Sequence, residues 1–216
     1  VTTEFPPILM RRYELRILPL GRTGTHHPFK VQHRDSKSLI DALDKHSKNT
    51  LTGVSLRHIR SQSMGHLVTI RGMIVRASDV KPCCIVATYT CDNCGCEIYQ
   101  VVQNKREFMP QRLCPAPDCG QQGGVKDSLH LQTRGSKFEK FQELKIQELP
   151  NQVPMGHVPR SMSVHCRGEM TRLATPGDVV TIDGIFLPQR VAESGFQAMK
   201  AGLISTTFLE AQNMVI

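Results

Sequence analysis

The segments CDNC (residues 91–94) and CPAPDC (residues 114–119) place four cysteines in two short-spaced pairs separated by nineteen residues. Two such pairs joined by a loop of this length are typical of a structural zinc ribbon or knuckle. Each turn presents two thiolates to one face of a metal ion, and four thiolates leave no open position for water. We therefore predict one structural, non-catalytic Zn²⁺ ion per chain, held by Cys91, Cys94, Cys114 and Cys119.

Other interpretations of the cysteines remain open. The second pair has four intervening residues where two are usual, so a set of reduced core cysteines is the alternative. Cys96 lies close enough in sequence to compete as a ligand. We expect Cys83, Cys84 and Cys166 to pack as small apolar side chains. No signal peptide precedes them, so a disulfide framework is not expected.

The composition favours an anionic partner. The 216 residues include 27 Lys and Arg against 19 Asp and Glu, a formal net charge of +8. Nucleic acid is the first expectation and an acidic protein the second. Only 5% of the residues are aromatic and Trp is absent, which disfavours binding mainly by base stacking. No apolar run approaches the roughly 18 residues of a membrane span, so no membrane partner is expected. The chain begins with Val1, so we expect further residues outside it.

Most of the chain after residue 65 reads as β-structure. From His66 to Arg76 apolar and polar residues alternate with a period of two, which predicts a strand. Many short strands with Gly and Pro turns favour a barrel or a sandwich. About five strands remain outside the metal module, and with the basic charge they favour a five-stranded oligonucleotide-binding (OB) barrel. The other predicted strands are 85–90, 98–103, 129–134, 138–148, 162–167, 178–186 and 196–210.

The beginning of the chain is less regular. Apolar residues recur at helical spacing in residues 38–47 and 54–63, which predicts two short helices, the second stopping at Gly65. The fold class that these patterns predict is mainly β.

A series of short motifs lies on both sides of the cysteines. In chain order they are LRHI (56–59), RGMIVR (71–76), VKP (80–82), QTRG (132–135), KIQE (145–148), PRS (159–161) and PGDVVTIDG (176–184). Their order resembles the N-terminal DNA-binding region of the minichromosome maintenance (MCM) family of replicative helicase subunits, over roughly residues 54–216. The segments GIFLP (184–188) and GLISTTFLEA (202–211) look most like one particular eukaryotic paralogue.

The resemblance implies a mainly β fold, an OB barrel with an inserted four-cysteine zinc ribbon and a partial N-terminal helical subdomain. It also implies a division of the chain. Residues 1–62 would be a partial helical subdomain and linker, 63–90 the first part of the barrel, and 91–125 the zinc module. Residues 126–216 would complete the barrel, with an inter-tier loop at 147–161 and a basic hairpin at 188–201.

The resemblance also implies a function. Family members form a six-membered ring around single- or double-stranded DNA in the nucleus, and two rings can meet head to head. Ring partners are paralogous subunits, joined by replication initiation and fork factors. ATP and Mg²⁺ would bind a C-terminal motor domain outside this chain, because no G-x-x-x-x-G-K-[ST] phosphate loop occurs in it. We expect no catalytic residues within these 216.

Candidate contact residues follow from the same resemblance. A flexible basic tip in a narrow channel meets backbone phosphates at any sequence, and Arg190 and Lys200 would lie on the two arms of such a hairpin. The ring of the family has a barrel tier and an ATPase tier, and polar contacts between them would be made by Gln147, Glu148 and Arg160. The basic residues of the barrel and its surroundings that would bind DNA are Arg71, Arg76, Lys81, Arg134, Lys137 and Lys140.

Some alternatives stay open. Each basic residue can instead be a solvated charge, and Phe138 and Phe141 are expected to pack in the core more readily than to stack on bases. The alternative function is a stand-alone zinc-containing OB-fold protein that binds single-stranded nucleic acid without a motor. A purely structural assembly module is a further class. A zinc deaminase is excluded because no histidine is followed by x-Glu.

Overall fold

The computed structural model describes residues 6–10, 16–17, 53–102, 108, 110–116, 119, 128–189 and 206–216. The chain divides into two compact units, one made of residues 1–14 and 81–140, the other of residues 15–80 and 141–216. The described elements are one short helix, α1 (Pro7–Met10), and eight strands: β1 (Leu67–Ala77), β2 (Lys81–Cys91), β3 (Glu97–Val101), β4 (Leu129–Leu131), β5 (Lys137–Gln147), β6 (Ser161–Arg167), β7 (Val179–Gln189) and β8 (Thr206–Val215).

Five strands of the second unit pair in a closed ring. Strand β1 pairs with β7, β7 with β8, β8 with β6, β6 with β5, and β5 returns to β1. All pairs are antiparallel except β6 with β8, which run parallel. The prediction of a mainly β chain with about five strands outside the metal module is confirmed.

The inward face of each strand in the ring carries branched or small apolar residues, which suit a pleated, buried surface. Alternate residues point to one side of a strand, so each strand contributes two or more side chains to a single core. The fully or almost fully buried ones are Ile70, Ile74, Leu144, Ile146, Val164, Cys166, Val180, Ile182 and Leu209. Cys166 is therefore a core residue, as expected from the sequence.

Two glycines allow close approach between strands of the ring. A Cβ on Gly184 would lie 2.6 Å from the carbonyl oxygen of Glu210, beside a bulge in β7. A Cβ on Gly72 would lie 2.8 Å from the carbonyl oxygen of Gln147. Any larger residue at either position would force the paired backbone to move.

The first unit is built on a small sheet in which β2 pairs antiparallel with both β3 and β4. The Thr88 hydroxyl donates to the carbonyl of Gly135 at 2.8 Å, and this bond connects the turn after β4 to β2. The unit includes residues 81–140, and the predicted zinc module, residues 91–125, lies within this range. Strand β2 pairs along its second half with β3 and β4.

The helix predicted over residues 54–63 is wrong. Two separate 3-10 turns, Leu56–His58 and Ser61–Ser63, occupy the segment. Val54 makes a parallel bridge with Ile70 of β1, and this pairing requires extended backbone just before the first turn. The helix predicted at residues 38–47 lies outside the described residues, as do Arg190, Lys200 and residues 190–205 of the predicted hairpin. The described part of the chain contains no helix with the length and hydrophobicity that a membrane crossing needs.

Candidate metal centre and nucleic-acid interface

The four cysteines of the predicted zinc site come together in the first unit. The Sγ atoms of Cys91 and Cys119 are 3.9 Å apart, and those of Cys94 and Cys114 are 3.6 Å apart. All four sulfur atoms lie within 4.8 Å of one another. Four thiolates bound tetrahedrally at about 2.3 Å from a metal ion are separated by about 3.8 Å. The donor set and its spacing therefore fit a single tetrahedral metal ion.

A tight turn shapes the first half of this site. The N–H of Gly95 donates to the carbonyl of Cys91 at 2.8 Å, and the N–H of Cys91 donates to the carbonyl of Cys96 at 3.0 Å. Gly95 has a φ of +68°, a conformation that residues with a Cβ rarely adopt. The Cys96 thiol points to the carbonyl of Glu97 at 3.8 Å and is outside the group of four sulfur atoms.

Local hydrogen bonds prepare Cys91 to bind as a thiolate. The backbone N–H of Cys94 and the Ser128 hydroxyl, 3.6 Å away, lower the pKa of the Cys91 thiol to about 6. Burial has the opposite effect on its neighbour and raises the pKa of Cys114 to about 12. A bound cation would supply the charge that keeps such a buried thiol deprotonated.

The predicted DNA-contacting residues fall into two groups. Arg71 and Arg76 lie on β1 in the second unit, and both are exposed. The first unit contains the other four. Lys81, Arg134 and Lys140 are exposed, and Lys137 is half-buried.

Lys137 differs from the other basic residues because its ammonium group is engaged within the first unit. It donates to the carbonyls of Ile8 at 2.8 Å and Leu9 at 3.5 Å, in helix α1. Carbonyls at a helix end lack intrahelical donors, and a lysine can supply one. In this structure Lys137 therefore anchors α1.

Arg76 has a partner that the sequence did not reveal. Lys145 of β5 stands directly opposite Arg76 of β1 in the strand register, and both residues are exposed. Like charges opposite each other on a sheet repel. No ion pair of the described residues neutralises either cation. The two strands thus bring two exposed cations to paired positions of the sheet.

Of the residues predicted to make contacts between tiers, Glu148 is buried and Arg160 exposed, while Gln147 is half-buried at the end of β5. The Glu148 carboxylate accepts hydrogen bonds from Arg57 Nε at 3.3 Å and Arg57 Nη2 at 3.1 Å. It also accepts from the Ser55 hydroxyl at 3.4 Å and the backbone N–H of Arg160 at 3.0 Å. Burial alone would raise the pKa of Glu148, but the hydrogen bonds from Arg57 and Arg160 outweigh it and hold the pKa below its usual range.

The expectation of core packing for the two phenylalanines is wrong for Phe138, whose residue is 44% exposed. Phe141 is half-buried. Its ring meets the edge of the His165 ring at 5.2 Å, and the Arg167 guanidinium lies 5.3 Å from the ring centre. His165 lies on β6 between Val164 and Cys166, whose side chains fill the core of the ring. Phe141 therefore packs on the outer side of the sheet.

Comparison with known proteins matches these features to a family. A family model described as the MCM OB domain matches residues 55–190. The chain belongs to the MCM family. It is 44% identical to the DNA replication licensing factor mcm7 of Xenopus tropicalis over 214 residues, 98% of this chain and 25% of that protein.

Other MCM relatives agree. The chain is 43% identical to mcm7 of Schizosaccharomyces pombe over 206 residues, 95% of this chain and 23% of the relative. It is 50% identical to MCM7 of Arabidopsis thaliana over 160 residues, 74% of this chain and 22% of the relative. Similarity to a paralogue is weaker, 32% over 133 residues for mcm6 of Schizosaccharomyces pombe. The resemblance to one eukaryotic paralogue, the seventh, is confirmed. The chain spans about a quarter of the length of the curated relatives it matches.

Sequence reasoning missed three residues of this MCM domain. Ser128 supports Cys91, Lys145 stands opposite Arg76, and Arg57 holds Glu148 from 91 positions away. The alternation of β5 did indicate that Lys145 faces outward. Neither the register of β1 against β5 nor the partner of Glu148 leaves a local signal in the sequence.

Proposed function

We propose that this chain is the DNA-binding and ring-assembly tier of a subunit of a hexameric, ATP-dependent replicative DNA helicase. It would act in the nucleus in replication licensing, origin unwinding and fork progression. Membership of the MCM family supports this, as do relatives that are DNA replication licensing factors and match through their N-terminal quarter. ATP and Mg²⁺ would bind a motor domain outside these residues, and the partners would be paralogous subunits, with double hexamers and replication factors beyond them.

The metal in the first unit is proposed to be Zn²⁺, one per chain. Four cysteines in two short-spaced pairs, with sulfur separations of 3.6 and 3.9 Å, are the donor set of a structural zinc site. Zinc would supply charge and cross-linking there. The chain itself contributes Cys91, Cys94, Cys114 and Cys119, with Ser128 and the N–H of Cys94 orienting the first thiolate.

DNA contact rests above all on the exposed pair Arg76 and Lys145. A phosphate placed between them would replace a repulsion by two charge-assisted hydrogen bonds. An OB barrel binds oligonucleotides on the face of its second and third strands and on the loops after its first and fourth. In chain order β5 is the second strand of the ring, which places Lys145 among these elements. Arg71, Lys81, Arg134 and Lys140 are further candidates, and Arg190 and Lys200 would act on the segment after the fourth strand, β7.

The test of DNA contact uses the full-length subunit in its assembled ring and changes Arg76 and Lys145 together to Ala. Removing one phosphate contact should flatten the log–log salt dependence of binding by about 0.9 on duplex and about 0.7 on single-stranded DNA. Because the two cations are proposed to hold one phosphate between them, the double variant should change the slope by about 0.7 to 0.9. Titrations at several salt concentrations measure it.

A matched control removes the same charge elsewhere in the second unit. Arg60 and Arg172 are both exposed and lie outside β1 and β5, so their double Ala variant should keep the wild-type slope. An equal change of slope in both double variants would show a general effect of net charge and would contradict a phosphate site at Arg76 and Lys145. The double variant of Arg190 and Lys200 should weaken binding to all sequences alike, since phosphate contacts carry no base information.

The segment after β5 is proposed to couple the two tiers of the ring, through Gln147, Glu148 and Arg160. If so, Gln147→Ala with Glu148→Ala should uncouple DNA binding from ATP turnover in the assembled ring. Unchanged DNA-stimulated ATPase activity and unwinding would count against this role.

A further inference from the structure

The segment between β5 and β6 ends in an exposed apolar tip. Met155 is 102% exposed and Val158 is 83% exposed, more than any other large apolar residue among those the structure describes. The N–H of His157 donates to the carbonyl of Pro154 at 3.1 Å, and Gly156 has a φ of +77°. These are the features of a type II turn, which needs a positive φ at its third residue. The tip therefore has a defined local shape.

Two hydrogen bonds between Glu148 and Arg160 join the two ends of this segment, which we call its neck. The N–H of Glu148 donates to the carbonyl of Arg160 at 3.0 Å. In return, the N–H of Arg160 donates to the Glu148 carboxylate at 3.0 Å. Residues 149–159 thus leave and re-enter the barrel unit at one point, as in a compact Ω-loop. We call residues 149–159 the β5–β6 loop.

Arg57 fastens this neck from a different part of the chain. Its Nε and Nη2 atoms reach the two oxygens of the Glu148 carboxylate, and Nη2 also donates to the carbonyl of Val158 at 3.3 Å. The Glu148 side chain is 0% exposed and that of Arg57 is 21% exposed. One guanidinium therefore binds both Glu148, at the neck of the β5–β6 loop, and Val158, at its tip.

The charge of Arg57 is what makes this arrangement stable. A carboxylate withdrawn from water is costly unless it is paired and hydrogen-bonded. Ser55 and the Arg160 N–H offer only neutral donors, and in the described residues Arg57 is the one cation that pairs with Glu148. Lysine could not replace it, because its single ammonium lacks the planar fork that reaches two oxygens at once.

We propose that Arg57 is a positioning residue that holds the β5–β6 loop, with Met155 and Val158 facing outward, in the conformation required for coupling DNA binding to ATP turnover. The inference rests on the coupling role proposed above. Arg57 acts through Glu148 and Val158 and needs no contact with DNA or nucleotide.

The experiment compares Arg57→Lys and Glu148→Gln with wild type in the full-length subunit within its assembled ring. Hydrogen exchange followed by mass spectrometry reads the loop itself, and the amide of Arg160 reports its bond to Glu148 directly. DNA affinity, basal ATPase and DNA-stimulated ATPase are measured on the same preparations. The control variants are Arg167→Lys and Glu210→Gln, which alter the other described Arg–Glu pair of this unit, with Nε to Oε1 at 3.1 Å.

Both variants at the neck should speed exchange over residues 149–160 by about ten-fold, while β1 and β7 keep their protection. The stimulation of ATPase by DNA should fall about five-fold, with DNA affinity and basal ATPase within about two-fold of wild type. The control variants should leave loop exchange and stimulation unchanged. Adding Glu148→Arg to Arg57→Glu tests whether the reversed pair restores loop protection relative to either single reversal.

Two outcomes would overturn different parts of the proposal. Unchanged exchange over residues 149–160 in both Arg57→Lys and Glu148→Gln would show that Arg57 does not hold the loop, whatever the ATPase does. Faster exchange with undiminished DNA stimulation would show that Arg57 holds the loop but that the loop does not couple the tiers, which would refute that role in the proposed function.

Discussion

The five-stranded ring and the cysteine-containing unit bury very different amounts of apolar surface. In the described residues, the core of the ring comprises fourteen buried side chains on all five strands and the segments around them. The buried cluster of the other unit has six, and two of these are the candidate ligands Cys91 and Cys114. A core this small rarely supports a fold without a metal or disulfide. The ring should therefore owe its stability to hydrophobic packing and the cysteine unit to its metal.

Removing a metal ligand should break this comparison most completely. Structural zinc contributes an apparent free energy of about 10–16 kcal/mol at neutral pH, so Cys91→Ser should lose the metal and unfold the sheet of β2, β3 and β4. The ring should retain its protection from exchange. Metal content, expected at about one ion per chain in the wild type, and hydrogen exchange over residues 67–77 and 86–101 provide the readouts.

Cys96→Ser is the matched control for this prediction. The Cys96 sulfur lies outside the group of four, so this variant should keep a full complement of metal. Full metal retention in Cys91→Ser would refute the ligand set. Metal loss in Cys96→Ser would place Cys96 in it.

A cavity in the ring should produce the opposite pattern. Ile146 is 0% exposed, and truncating such a side chain typically costs about 2–5 kcal/mol. Ile146→Ala should lower the stability of the ring in denaturant titrations while metal content stays at the wild-type level. Val75→Ala, at a residue that is 47% exposed on β1, should have a small effect. Equal losses in the two variants would mean that packing at Ile146 is not what stabilises the ring.

Features with a local signature were predictable from the sequence. The strands follow from alternation of apolar and polar residues, and the four cysteines follow from their spacing. The helix expected at 54–63 failed because a tertiary pairing, Val54 with Ile70, overrides the helical spacing of Leu56 and Ile59. DNA binding by Lys137 stays a prediction, but no local pattern indicated that it donates to the carbonyls of Ile8 and Leu9, 129 and 128 positions away.

The parts of the candidate site that escaped prediction depend on register and long-range pairing. Arg76 and Lys145 become neighbours only because β1 and β5 pair in one register, with a bulge between Ile74 and Arg76. The role of Glu148 in coupling the tiers stays a prediction, but no local pattern indicated that its carboxylate is buried and bound within its own unit. A local sequence pattern does not distinguish an exposed polar residue from a buried one, because burial depends on the tertiary fold.

The smallest expected effect is a change in the stability of the ring with pH. It is expected because the ring contains a buried carboxylate, Glu148, as well as apolar residues. The pKa of Glu148 is below its ordinary value in the folded chain. The unfolded chain then binds more protons at mildly acidic pH, so stability from this group is complete above its ordinary pKa and is lost as pH falls through the folded value. Glu148→Gln should remove that contribution, roughly 1–3 kcal/mol at pH 7, since it leaves the Arg57 charge without its partner.

The difference in free energy of unfolding between wild type and Glu148→Gln should therefore shrink between about pH 5 and pH 3. Denaturant titrations of the second unit at each pH measure it. Glu143→Gln, on the same strand, is the control and should differ little from wild type at any pH, because no described ion pair involves Glu143. A difference for Glu148→Gln that stays constant down to pH 3 would mean that ionisation of Glu148 is not what stabilises the ring.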